Sequence, residues 1–248
     1  MHMVDFITQG PLWSYDLGPI RLAVTKPMLV STGFMILLSL IFIFLGRNLK
    51  VIPETRRQLI AETIYSTIRS LVDSNMGSGY YRFIPFIGAL ILFLLGQNFS
   101  ALFGFKPPTS SFSTAFGLGL ISFLIIHINA VKTGGLRGYA KSYVEPMPFL
   151  LPITLLERLI FPVSLSLRLF GNVLAATVIM SLIYGSLMQL NFFAMLVIPL
   201  PFHAYFDLFE GGLQAVIFTF LTMIQIKLLA EESTEHEPVK DIAVETAA

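Results

Sequence analysis

Residues 28–45 read MLVSTGFMILLSLIFIFL, an apolar run without a single charge. Coiled as an α-helix it covers about 27 Å, close to the hydrocarbon thickness of a bilayer, about 30 Å. Arg47, Lys50, Arg56 and Arg57 follow at once. By the positive-inside bias this cluster is expected on the cytoplasmic side, which places residues 1–27 outside, with Trp13 and Tyr15 as possible interface anchors. Working outward, the same apolar texture returns at 83–103, 112–131, 164–187 and 203–229, and five crossings leave the termini on opposite sides.

The segments between the runs have their own chemistry. Residues 58–73 (QLIAETIYSTIRSLVD) carry apolar residues near helical spacing with Glu62 and Arg69 among them, and read as an amphipathic helix lying on the membrane surface. After Lys106, Pro107 and Pro108 forbid helix, and the loop is expected outside. KTGGLRGYAK (132–141) holds Lys132, Arg137 and Lys141 with no acid, and reads as a cytoplasmic loop. Pro146, Pro148, Pro152 and Pro162 interrupt 145–163, for which short, tilted or re-entrant helix is expected. The result is an all-α integral membrane protein of about five transmembrane helices plus one interfacial helix. It forms a single membrane domain, with a helical core over 28–230 and an acidic, cytoplasmic, solvated tail over 231–248.

Composition agrees. The chain is 55% hydrophobic and 12% charged, against about 25% charged in an average soluble domain. A net charge of +1 with no basic face argues against nucleic acid as a partner. The absence of cysteine excludes disulfides, thiolate catalysis and cysteine-ligated metals. Residues 1–28 lack the pattern of a signal peptide, so insertion is expected to come from the internal spans. No cofactor and no metal are implied.

Ionisable groups at membrane depth cost at least about 2.5–3.5 kcal/mol each, so each invites a functional reading. Arg168 stands alone in SLSLRLFGN (164–172), with Ser164 and Asn172 one turn away on the same face. A guanidinium keeps its proton in a protein, so Arg168 is a fixed positive charge. Snorkelling to an interface or a structural ion pair is the bland alternative. On the last span His203, Asp207, Glu210 and Gln214 are spaced by four, three and four residues, which at about 100° per residue forms one polar stripe about 16 Å long. Such a stripe can line a hydrated path. Asp207 and Glu210 repel when both are ionised, which makes the pair a proton-exchanging carboxyl site, while His203 beside Pro199 and Pro201 could equally be interfacial. Glu157 precedes Arg168 by eleven residues, and the adjacent Arg158 leaves a plain salt bridge as an equal alternative. Gln97 and Asn98 read as helix–helix hydrogen-bonding amides, and His127 and Asn129, near a helix end, as structural. Gly171 and Ala175 invite close approach of another helix beside the Arg168 face.

The run LPITLLERLIFPVSLSLRLFGN (151–172), joined by FDLFEGGLQAVIFTFLT (206–222), resembles subunit a of the F-type ATP synthases. The resemblance implies long tilted helices packed against a c-ring, with Arg168 facing the ring carboxylate. It further implies Gln214 packed near that arginine, Asp207 in an inlet half-channel and Glu157 near a second one. Protons, or sodium ions, would be carried. The partners implied are the c-ring, the peripheral-stalk b subunits and lipid, in an energy-coupling membrane of the bacterial inner-membrane type. Thr177 departs from the acid or histidine that many relatives carry, and Glu210 stands where an apolar residue is usual, so the protonatable group is expected to have moved to the facing helix. No nucleotide chemistry is expected, since GxxxxGK[ST] is missing. A stand-alone secondary transporter, with Arg168 binding an anionic substrate, is the alternative, and a purely structural assembly subunit is a third class.

Overall fold

In a computed structural model the protein is described at residues 13–17, 20–24, 26–47, 50, 55–103, 107–144, 147, 149, 151–187 and 197–234. Lys106, Pro146, Pro148 and the tail beyond Thr234 lie outside the described residues, as do the side chains of Trp13 and Tyr15. A short antiparallel hairpin, β1 (Trp13–Leu17) and β2 (Ile20–Val24), pairs Trp13 with Val24 and Leu17 with Ile20. Most of the described residues after it are helical. The helices are α1 (Lys26–Leu45), α2 (Arg56–Met76), α3 (Ile84–Phe99), α4 (Phe112–Lys141), α5 (Leu151–Leu187) and α6 (Pro199–Thr234), with 3₁₀ turns at Ser78–Phe83, Ser100–Phe103 and Pro108–Ser110. Five of them are long and apolar enough to cross a bilayer. The exception is α2, capped by Thr55 and closed by Gly77, which buries Val72 and Met76 while leaving Leu59, Ile60 and Tyr65 exposed.

Two expectations are corrected. Residues 145–163 are not a separate broken segment, because α5 runs unbroken from Leu151 and absorbs Pro152 and Pro162. Pro152 sits in the first turn, where an amide N–H has no helical partner anyway. Pro162 does remove a helical bond, yet the helix continues through it; its own carbonyl accepts the Ser166 hydroxyl at 2.5 Å, and Gly119 of α4 lies against that carbonyl. The basic segment 132–141 is likewise no loop. It continues α4 past a kink at Gly135, whose φ of 67° suits a residue without Cβ.

α4 packs against both α5 and α6. Gly134 and Gly138 lie directly on the Ser233 backbone, so a side chain at either would collide with main chain. Arg82 donates to Asn129 Oδ1 (2.5 Å) and Thr133 Oγ1 (3.3 Å), and Asn129 Nδ2 donates to the Ile226 carbonyl (3.3 Å). These contacts define one end of the bundle, the basic end, where α4 finishes, α5 begins and α6 finishes. Asn98 bonds the Gly211 carbonyl (2.7 Å) and Gln97 bonds Ser31 (3.2 Å), the interhelical roles expected of both amides. A second apolar cluster, including Leu94, Leu165, Leu169, Ala215 and Phe218, holds α3, α5 and α6 around α4 at mid-height.

Candidate functional site

Burial on α5 fixes where Arg168 points. Pro162, Leu165, Ser166 and Leu169 form the inward stripe, and Arg168, on the opposite side with Ser164, Leu167 and Ala175, is exposed. It sits halfway along a helix about 55 Å long. Among the described residues its guanidinium has no hydrogen-bond or ion-pair partner, and Gly171 has no other side chain within 4 Å of its Cβ position. The structural ion pair weighed for Arg168 is therefore absent among these residues, and the close helix invited by Gly171 is not part of the described chain.

One turn on, Asn172 Nδ2 donates to Gln214 Oε1 at 2.9 Å, joining α5 to α6 beside the arginine. Gln214 is buried, and its own Nε2 has no partner among the described residues. The polar stripe of α6 turns inward as its spacing predicts, although Ala204–Glu210 is a π-helical turn in which the Gly211 amide reaches back to the Phe206 carbonyl. Such widened turns recur at functional sites. Here the turn coincides with the close approach of Asn98 to Gly211.

The stripe is organised differently from the expected carboxylate pair. Asp207 Oδ2 meets His203 Nδ1 at 2.6 Å, and His203 Nε2 meets the Tyr184 hydroxyl at 3.0 Å. His203 is thus held from both sides rather than merely resting at an interface. Glu210, half-buried, makes no hydrogen bond among the described residues. Tyr184 was invisible to spacing arguments because it lies on α5, nineteen residues from its partner. Thr177 donates to the Val173 carbonyl at 2.8 Å, so its hydroxyl is tied into its own helix.

At the basic end Glu157 lines a cavity of about 70 Å³ with His127, Thr154, Arg158, Gln225 and Glu232 among its neighbours. Arg158 does not pair with Glu157. It bonds Glu232 at 3.0 Å and Ser142 Oγ at 3.0 Å, and stacks over the Tyr143 ring at 3.9 Å. Among the described residues no cluster of three metal-ligating side chains occurs.

A family model described as ATP synthase A chain matches residues 28–227. The chain belongs to the ATP synthase A chain family. Among its relatives, the sodium ion specific ATP synthase subunit a of Propionigenium modestum is 35% identical over 80% of this chain and 72% of its own length. Subunit a 2 of a Bradyrhizobium species is 32% identical over 86% and 91%, and subunit a of Moorella thermoacetica 32% over 87% and 94%. Membership makes this protein a multi-pass, ion-translocating stator subunit of an ATP synthase. The matches lend no support to a stand-alone secondary transporter.

Proposed function

We propose that this subunit carries protons along two offset half-paths that meet at Arg168. The inlet runs down the inward stripe of α6, from His203 through Asp207 and Glu210 to Gln214 and Asn172. The second path opens at the basic end beside Glu157. Between them Arg168 faces a c-ring and attracts a deprotonated ring carboxylate by about 4 kcal/mol at 4 Å and an effective dielectric near 20. The observation that carries the reading is the unpartnered, outward Arg168 halfway along a membrane helix. A bare guanidinium against lipid is costly, so a partner bearing negative charge is the economical cover.

The Propionigenium relative is named for sodium, but the bonding of His203 to Asp207 and Tyr184 suits protons. An imidazole bonded through both nitrogens can pass a proton along its hydrogen bonds, whereas a hard cation prefers several free oxygens. We place the basic end in the cytoplasm, residues 1–27 outside and residues 231–248 inside, in one membrane domain of a bacterial inner membrane. Peripheral-stalk b subunits and lipid cover the remaining apolar surface, and nucleotide chemistry belongs to other chains.

The test is reconstitution in vesicles of this chain alone, of its c-ring alone, and of both. Flux that requires both supports the reading. Flux through this chain alone returns it to the transporter class, and none with both makes it a structural subunit.

A further inference from the structure

We infer that His127 is a proton-relay residue of the basic-end path, exchanging protons through water with Glu157 across the cavity that His127, Glu157 and Gln225 line. The inference rests on the half-path reading above and adds to it a group that the sequence suggested was structural.

The tautomer of His127 follows from its partner. Nδ1 lies 2.8 Å from the Phe123 carbonyl, which can only accept, so Nδ1 carries the hydrogen and the neutral ring has its lone pair on Nε2. That Nε2 is buried and has no hydrogen-bond partner among the described residues. A histidine serving only to pack would leave this acceptor unsatisfied at a cost of about 1–3 kcal/mol. The ring is held by Phe123, with centroids 3.8 Å apart, and by the edge of Tyr139 at 6.0 Å. It stays in one orientation, so Nε2 is the atom that exchanges.

The cavity, about 70 Å³, has room for water, with Glu157, Gln225 and Glu232 among its walls beside apolar Ile126, Phe161 and Leu229. Glu157 has no hydrogen-bond or ion-pair partner among the described residues, because Glu232 and Ser142 occupy Arg158. The groups facing His127 are Glu157 and Arg158 from α5, Glu232 from α6 and Tyr139 from α4 itself, with Tyr143 beyond its end. Arg158 is paired with Glu232, which leaves Glu157 as the carboxylate lining the cavity with no partner among the described residues. Register supports the same placement. Glu157 stands eleven residues from Arg168 and Gln225 eleven from Gln214, and eleven residues return a helix to within about 20° of the same face, about 16 Å along the axis. Both steps run toward the basic end.

In the step, the O–H bond of protonated Glu157 breaks as a water takes the proton and passes one of its own to His127 Nε2. The imidazolium then releases the Nε2 proton to water on the basic side, while Nδ1–H stays on the Phe123 carbonyl. The starting tautomer returns without a ring flip, and the reverse sequence serves the opposite direction.

The test uses the complete ATP synthase containing this chain, in inside-out vesicles stripped of the catalytic head, with passive proton flux read as a function of pH on the basic side. The wild type should show one ionisation in its flux profile that belongs to the imidazole. His127→Gln should lose that ionisation and slow flux on the order of 10²-fold, the lower bound for a lost acid–base group. His127→Ala should regain flux with added imidazole. Wild-type flux and pH profile in His127→Gln overturn the relay, as does sodium flux unaffected by the substitution. Should the variants fail to assemble, ¹⁵N spectra of His127 in the wild-type complex decide: protonation at Nε2 between pH 5 and 9 supports the relay, and a ring that never titrates refutes it. Arg168→Ala is assayed in parallel for ATP-driven pumping, in vesicles that keep the catalytic head. If it still pumps, the half-path reading fails; if it stops while His127→Gln is normal, only the relay fails.

Discussion

The two ends of the molecule each bring a histidine near a carboxylate, and they do it differently. At the Tyr184 end the imidazole touches its acid directly, at 2.6 Å, and a hydroxyl from the next helix holds its other nitrogen. At the basic end the imidazole is fixed to its own backbone, its other nitrogen is buried without a partner among the described residues, and the residue lines a cavity together with Glu157. On the proposed reading, the first arrangement hands protons along a preformed hydrogen-bonded set. The second needs solvent to complete it, so the two ends should respond differently to single substitutions.

The largest effect should come where the ends meet. Arg168→Ala should abolish ATP-driven pumping, since losing about 4 kcal/mol of attraction corresponds to about 10³-fold. Arg168→Lys should fail as well, because a buried ammonium can shed its proton. Dye-quenching assays of vesicles check both, and assembly should survive.

Next in size, Asp207→Asn with Glu210→Gln together should slow proton uptake on the order of 10²-fold, far beyond either alone, because one carboxyl can relay for the other. Thr177→Glu in that background should restore part of the rate. Full uptake in the double variant would make both acids structural.

Tyr184→Phe removes one hydrogen bond from His203 and should cost about 1 kcal/mol, or about fivefold in uptake from the Tyr184 side. It should leave the dependence of flux on basic-side pH unchanged.

The smallest effect belongs to Glu232→Gln. Its carboxylate is half exposed, and such pairs contribute about 0–1 kcal/mol, so a loss of about threefold or less in passive flux is expected as Arg158 turns toward Glu157. A collapse comparable with that of Glu157→Gln would mean that the Arg158–Glu232 pair itself lies on the path.

Charge and apolar length made the five spans legible, and the spacing from His203 to Gln214 made the inward stripe legible. What escaped was set by tertiary contact. Pro162 reads as a break until α5 is seen to continue through it with Gly119 against its carbonyl, and 132–141 reads as a loop until Gly134 and Gly138 are seen against Ser233. Ending α4 too early is also what made His127 look peripheral. Tyr184 and His203 meet only because α5 and α6 run antiparallel, which no single-helix periodicity contains.

The length of α5 carries one more consequence. A helix of about 55 Å is longer than a core of about 30 Å, so α5 leans from the membrane normal or extends past the core. Where it leans, part of the roughly 16 Å of axis between Glu157 and Arg168 becomes sideways travel. Depth alone would stack the two openings on one vertical line, and a carrier could shuttle between them without turning. A sideways component sets them at different bearings, so on the proposed reading an ion passing from one to the other also travels along the plane of the membrane.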